Sequence, residues 1–302
     1  MFGLNYLRAI AQTTLRRAVP ITIGPCFDFL LVGGGGTIGP ANGGTYYTGA
    51  GGAGGMICSG QALQGGGGTA SPQMTLGIGQ ELSCGPASET AAPATYAGVQ
   101  GANSTISGAG YSYTAIGGGI GGAFPGGSPA YGPPSSVGGS GGGGGSGGYS
   151  AGSAGTPNQG YAGGAGVGAD SGSGGGGGGA GGVGGAGSGF TQGGNAGLGL
   201  EWIDGNVYAY GGRGAHGHQY NVTLTLGSYA ANRPVGGAPN RGAGSGNAVE
   251  NDASGGTCYG GAGVVIFAFR TGSATYTGGT ITKVAGKTFH TFTSAGTFKR
   301  IT

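Results

Sequence analysis

The chain has 302 residues, of which 88 are glycine and 13 proline; 6% are charged and the formal net charge is +3. Leu, Ile, Val and Phe together number 48, too few for an ordinary core of this length, and so much glycine without a fixed period reads as low complexity. The rest of the disorder signature is missing, since charge is too sparse to keep the chain expanded and 15 tyrosines are too many for a plain linker.

Residues 4–19 predict a short helix. Leu4, Leu7, Ile10, Ala11, Leu15 and Val19 recur at spacings of three and four, Arg16 and Arg17 suit a C-terminal end, and Pro20 stops it. A helix of that length is marginal alone, so it must pack on its own domain or plug into a partner. Next, "FDFLLV" at 27–32 predicts a buried strand that ends abruptly in glycine. "QMTLGIG" at 73–79 is a weaker strand candidate. "NVTLTL" at 221–226 alternates Val222, Leu224 and Leu226 with threonine, and "GVVIFAF" at 263–269 predicts a second buried strand. The last thirty residues, rich in threonine and aromatics with glycine turns, predict a small β-appendage of two or three hairpin strands.

Between the two apolar strands stand runs such as "GGSGGGGGSGG" and "SGSGGGGGGAGG". An ordinary helix is disfavoured there, because each glycine costs about 1 kcal/mol against alanine. A sheet gains nothing from residues without side chains, and collagen needs a strict three-residue period that these runs do not keep. What remains is an extended polyproline-II-like backbone with three residues per turn and no internal hydrogen bonds. Packed side by side, such segments satisfy one another's N–H and C=O groups, and only glycine permits the close approach. The expected object is an ordered lattice built of glycine, closed at its ends by strands.

Charge is unevenly placed. No Lys, Arg or His occurs from 18 to 212, whereas 213–302 holds eight Lys or Arg against Glu250 and Asp252. These cations are not interleaved with aromatics as on a nucleic-acid platform, so no nucleic-acid partner is expected. No apolar run approaches eighteen residues, so membrane insertion is not expected either. The interrupted N-terminus does not read as a secretory signal, which points to synthesis in a cytoplasm. Cys26, Cys58, Cys84 and Cys258 form no CxxC pair, so no metal or other cofactor is expected, and whether they form disulfides is open. GxGxxG strings are expected by chance among so many glycines, "HGHQY" lacks further ligands, and no nucleophile or carboxylate pair stands out. No enzyme is read here.

The aromatics between glycine runs are the better lead, since Tyr and Trp give large contact areas at low entropic cost. The stretch 201–220 combines Trp202, Tyr208, Tyr210, Arg213, His216, His218 and Tyr220 and is the first candidate receptor-binding surface. The stretch 111–134, with Tyr111, Tyr113, Phe124 and Tyr131, is the second. The competing reading is that these rings cover flat glycine faces and supply missing apolar mass. Leu4, Leu7, Ile10 and Leu15 are the candidate attachment face of the N-terminal helix.

The order of phrases "DFLLVGGGG", "GGAGG", "MTLGIGQ", "GVQGANSTIS", "YTAIGGGIGG", "NQGYAGGAG", "GGNAGLGL", "YAYGGRG" and "GGAGVVIFAFR" resembles the glycine-rich domain of bacteriophage tail-fibre and adhesin proteins. "FHTFTSAGTF" at 289–298 resembles a β-motif found beside that domain, so the likeness covers about residues 27–300. It implies a mainly irregular and β fold, a sandwich of polyglycine-II helices closed by β-strands, to which the residues themselves add the short N-terminal helix and the small C-terminal β-module. The corresponding divisions are 1–25, 26–270 and 271–302. It further implies a virion protein, exposed on the particle, that binds a host surface protein or glycan through loops between the helices. Its other partners would be tail-fibre, tail or capsid proteins, with homo-oligomerisation open. Two departures leave its place on the virion open: the N-terminal segment is short, and the "FTSAGTF" motif follows the glycine domain instead of preceding it. A decorating or joining protein without a receptor is the alternative. An ice-binding glycine-helix protein is a remote one, lacking the strict three-residue glycine period and secretion signal.

Overall fold

The structure, a computed structural model, describes residues 24–38, 48–91, 98–122, 135–146, 151–168, 172–189, 192–215, 239–246 and 259–302. The helix expected over 4–19 and the strand expected over 221–226 lie outside these residues. Among the described residues the fold is mainly antiparallel β-sheet with almost no helix, a single 3-10 turn at Gly65–Gly67 being the exception.

Strand β1 (Asp28–Val32) is the apolar run anticipated at 27–32. Its neighbours are β2 (Met56–Cys58) on one side and β10 (Val264–Arg270) on the other, the second anticipated strand. The sheet continues through β13 (Lys287–Phe292) to β12 (Thr280–Val284). A second five-stranded sheet runs β11 (Tyr276–Thr277), β14 (Gly296–Arg300), β3 (Glu81–Gly85), β5 (Ser104–Gly108) and β6 (Tyr111–Ala115). Two ribbons complete the set, β4 (Thr90–Ala91) with β9 (Tyr259–Gly260) and β7 (Leu200–Glu201) with β8 (Val207–Tyr208).

The C-terminal strands do not stand apart as an appendage. β13 pairs with β10, and β14 pairs with β3, so each sheet is closed by the last thirty residues. Phe27, Phe29, Leu31, Phe267, Phe292 and Phe298 fill the space between the sheets. Phe267 and Phe298 stack at 4.2 Å, and Phe27 meets both edge-on, an arrangement aromatic quadrupoles favour. Alternation sends Leu30, Val32, Val264 and Ile266 to the opposite face of the first sheet, which is therefore apolar on both sides. "QMTLGIG" forms only a bridge, Phe27 with Met74, although Met74 and Leu76 are fully buried.

Five strands run directly into glycine segments: β1 into 33–38, 48–55 into β2, 98–103 into β5, β6 into 116–122, and 259–263 into β10. These segments hydrogen-bond to one another with a direction that recurs every three residues. Gly49, Gly52 and Gly55 donate to the carbonyls of Gly122, Gly119 and Ile116; Ala50 and Ala53 donate to Gly175 and Gly178; Gly51 and Gly54 donate to Ser245 and Gly242. The carbonyls of the same segment accept from 33–36, 140–143 and 212–215, making six neighbours in all. Segment 174–180 has six as well, donating to 209–215, 141–144 and 182–185 and accepting from 50–53, 161–164 and 194–197.

This packing explains why the sequence keeps no simple period. A segment surrounded on all sides has little room for side chains: 174–179 is six consecutive glycines, all buried, and 49–55 carries nothing larger than the buried Ala50 and Ala53. An edge segment keeps one free direction in three. In 192–198 the exposed residues are Gln192, Asn195 and Leu198, with buried Gly193, Gly194 and Gly197 and half-buried Ala196 between them, and in 182–187 Val183 and Ala186 point outward. The spacing is three in both, but the number of glycines between side chains depends on where a segment lies.

Candidate functional site

The first candidate surface, 201–220, begins as the β7–β8 hairpin. Trp202 N–H donates to the Asn206 carbonyl, and Gly205, at φ +77°, takes the left-handed turn position that a side chain would strain. Asp204 organises this turn. Its carboxylate accepts from Asn206 N at 3.0 Å, Asn206 Nδ2 at 2.9 Å and the Tyr208 hydroxyl at 2.6 Å. Arg241, from a neighbouring turn, donates through Nη1 to the Val207 carbonyl at 3.1 Å and through Nη2 to Asn206 Oδ1 at 2.9 Å. Its guanidinium lies 5.7 Å from the centre of the Tyr208 ring, within cation–π range.

Trp202 and Tyr208 are thereby corrected as receptor contacts, being 2% and 4% exposed. The reason is the outer face of the first sheet. Leu30, Val32, Ile266 and Phe289 would otherwise meet water, and the hairpin folds down to cover them. Trp202 meets Phe289 edge-on at 6.2 Å, and its Nε1–H donates to the Ser59 carbonyl at 3.0 Å, so its polar group is satisfied. Burial, then the Asp204 carboxylate, raises the Tyr208 phenol pKa well above its ordinary value, with Arg241 opposing. Tyr210 and Arg213 are half-buried in segment 209–215, and Arg213 Nε finds no hydrogen-bond partner among the described residues. His216, His218 and Tyr220 lie outside the described residues.

Of the second candidate stretch, Tyr111 and Tyr113 belong to β6. The Tyr111 hydroxyl accepts from Thr75 N at 3.0 Å, and the Tyr113 ring lies 4.9 Å from Phe29. Both half-buried rings therefore pack on the inter-sheet core, which accounts for them as structural mass. Phe124 and Tyr131 lie outside the described residues, as do Leu4, Leu7, Ile10 and Leu15.

The ladders of backbone bonds give the molecule two ends. Residues 38, 48, 122, 135, 146, 151, 168, 172, 189, 192, 215 and 246 all sit at the end of the glycine segments away from the sheets, here called the distal end. Gly24 to Cys26 and Thr302 sit at the other, basal end: the Tyr276 hydroxyl donates to the Pro25 carbonyl, and Arg300 donates to the carbonyls of Leu76 and Thr302. Ala91, paired with Tyr259, and Gly98, beside Thr37, lie at the distal end too, so the stretches 39–47, 92–97, 123–134, 147–150, 169–171, 190–191 and 247–258 leave and rejoin the described structure there.

A lateral cleft of about 470 Å³ opens between the hairpin and the outer face of β10, β13 and β12. Ile266 and Phe289 form an apolar floor with the threonines 282 and 291 beside them. Asp204, Asn206, Tyr208 and Arg241 line one wall, and Lys287 rises from β13. Lys287 also reaches Asp28 Oδ2 at 3.8 Å, while Asp28 Oδ1 accepts from Gln73 Nε2 at 2.7 Å and Ser59 Oγ at 3.3 Å. Sequence reasoning passed over Arg241, Asp204 and Lys287 as a group, because they come from three chain regions that only the fold joins.

Among the described residues no cluster of three or more His, Cys, Asp or Glu could hold a metal ion, and no helix is long and apolar enough to cross a membrane. No family model, curated protein or solved structure matches the chain.

Proposed function

We propose that the chain is a non-enzymatic bacteriophage virion protein whose glycine segments are polyglycine-II helices, and that it attaches the particle to the host surface through the loops joining them. The three-residue recurrence of bond direction and the six neighbours of segments 48–55 and 174–180 agree with a helix of three residues per turn that bonds only to others. The observation that carries the attachment reading is polarity. Seven stretches between described segments leave and rejoin at the distal end, while residues 24 and 302 lie at the basal end. A body of this kind would present the inter-segment stretches from a stiff support, the arrangement in which binding residues are commonly found. The basal end then faces the rest of the virion, with residues 1–25 as the attachment segment. Trp202 and Tyr208 are removed from the contact set by their burial, which moves the expected contacts to 39–47, 123–134 and 216–220.

The test is immunogold labelling of intact particles with antibody against 123–134, followed by adsorption to cells of the source culture with that antibody present. Gold at the tail or fibre extremity with blocked adsorption is the expected result. Gold spread over the capsid with adsorption unchanged would make the chain a decorating protein and overturn the receptor reading.

A further inference from the structure

We propose that the lateral cleft is a second binding site, separate from the distal end, for an acidic saccharide: a sugar ring bearing a carboxylate. Its volume of about 470 Å³ falls within the usual range of roughly 300–1,000 Å³ for small-molecule sites. Val284, 63% exposed, offers an apolar side chain to the C–H face of a pyranose above the nearly buried Ile266 and Phe289, and Thr282 and Thr291 offer hydroxyls to ring hydroxyl groups.

The polar lining sets the sign of the ligand. Among the described residues Asp204 is the single acid lining the cleft, and its carboxylate already accepts three hydrogen bonds. Arg241 spends one donor on Val207 and one on Asn206, out of the five a guanidinium carries. These two bonds and the Tyr208 ring hold it in place, so little side-chain entropy remains to be lost when an anion binds. Lys287 is 43% exposed, and at 3.8 Å its ion pair with Asp28 is too long for a strong hydrogen bond. Spare capacity in the cleft is therefore mainly that of charged donors, placed beside an apolar floor. A carboxylate on a hydroxyl-bearing ring with an apolar C–H face matches that pattern.

The experiment is isothermal titration calorimetry of the full chain with trigalacturonate as the probe and its methyl ester as the neutral comparator. One-to-one binding is expected, about tenfold or more tighter for the acid than for the ester, since charge-assisted hydrogen bonds are lost with esterification. Lys287→Gln, at an exposed position, is expected to weaken acid binding about tenfold with the melting temperature nearly unchanged. Replacing 123–134 by a Gly/Ser linker is expected to leave it unaltered. Absence of binding at millimolar acid, equal binding of the ester, insensitivity to Lys287→Gln, or loss on replacing 123–134 would each overturn the proposal. The site stands apart from host attachment, so failure here leaves the adsorption test untouched.

Discussion

A single methyl group, added in the interior or at the edge of the glycine body, separates backbone cohesion from loose packing. In Gly177→Ala the new Cβ would sit 2.6 Å from the Gly51 carbonyl carbon and 3.0 Å from Gly52 N, and closer still to the Gly51 oxygen. None of these atoms is the end of a flexible side chain, so two backbones must separate by about 1 Å to restore ordinary contact distances. The Gly51 carbonyl accepts from Gly212 N at 3.0 Å, and Gly177 N donates to the Gly212 carbonyl at 3.0 Å, so the displacement strains bonds on both sides. Overpacking costs about 1–3 kcal/mol, and a buried carbonyl left without its donor about 1–3 more, giving roughly 4 kcal/mol. With about 2.1 cal/mol/K of unfolding entropy per residue, that lowers the melting temperature of a 302-residue chain by about 6 °C. Gly182→Ala is the partner measurement. Its Cβ would meet nothing nearer than the Leu198 side chain at 3.5 Å, so reduced freedom of the unfolded chain should stabilise it by about 0.4–1 kcal/mol. Calorimetric melting of both variants decides the matter. Similar melting temperatures for the two would refute close backbone packing as the source of cohesion.

Trp202→Ala should destabilise by about 3–5 kcal/mol, read by denaturant unfolding, because it uncovers the outer sheet face and leaves the Ser59 carbonyl without its donor. Cys26 is exposed, whereas burial pushes the Cys58 and Cys84 thiols up to about 12, with Asp28 adding to the rise at Cys58. At pH 8, maleimide should therefore modify Cys26 readily and reach Cys58 and Cys84 only after unfolding, as peptide mass mapping would show. His290 is buried, with Nδ1 2.7 Å from the Gly278 carbonyl, and burial lowers its pKa against the opposing effect of that bond. The unfolded chain then binds the proton first, so this contribution is present above the ordinary histidine value near 6.5 and is lost as pH falls through the lower folded value. A His290→Phe variant should show a flatter dependence of melting temperature on pH between about 6.5 and 5 than the wild type. Identical slopes would sink that assignment.

The flanking strands were legible because β1 and β10 are unbroken apolar runs, as expected of strands buried on both faces. Their partnership across more than two hundred residues was not, since nothing local specifies it. The β5–β6 hairpin escaped notice because "STISGAGYSYTA" carries few aliphatics. Its turn signal, Ala109 and Gly110 both at positive φ, was hidden among other glycines. The close-packed glycine body followed from elimination, but its six-neighbour interior did not, because which glycines lie inside depends on the order in which segments are stacked. Trp202 illustrates the limit at the candidate site. Its composition suggested an exposed loop, and the deciding fact was the apolar outer face of a sheet assembled from distant strands.

The recurrence of bond direction every three residues also bears on how such a chain can change. An insertion of one residue within 174–180 would turn every later N–H by a third of a revolution, away from all its partners at once. An insertion of three would advance the segment by one full turn and restore the same faces to the same neighbours. The body should thus accept length changes only in units of three, while stretches joined at the distal end are free of that arithmetic. Segment lengths in naturally occurring relatives should step in threes while the lengths of the stretches between them vary continuously.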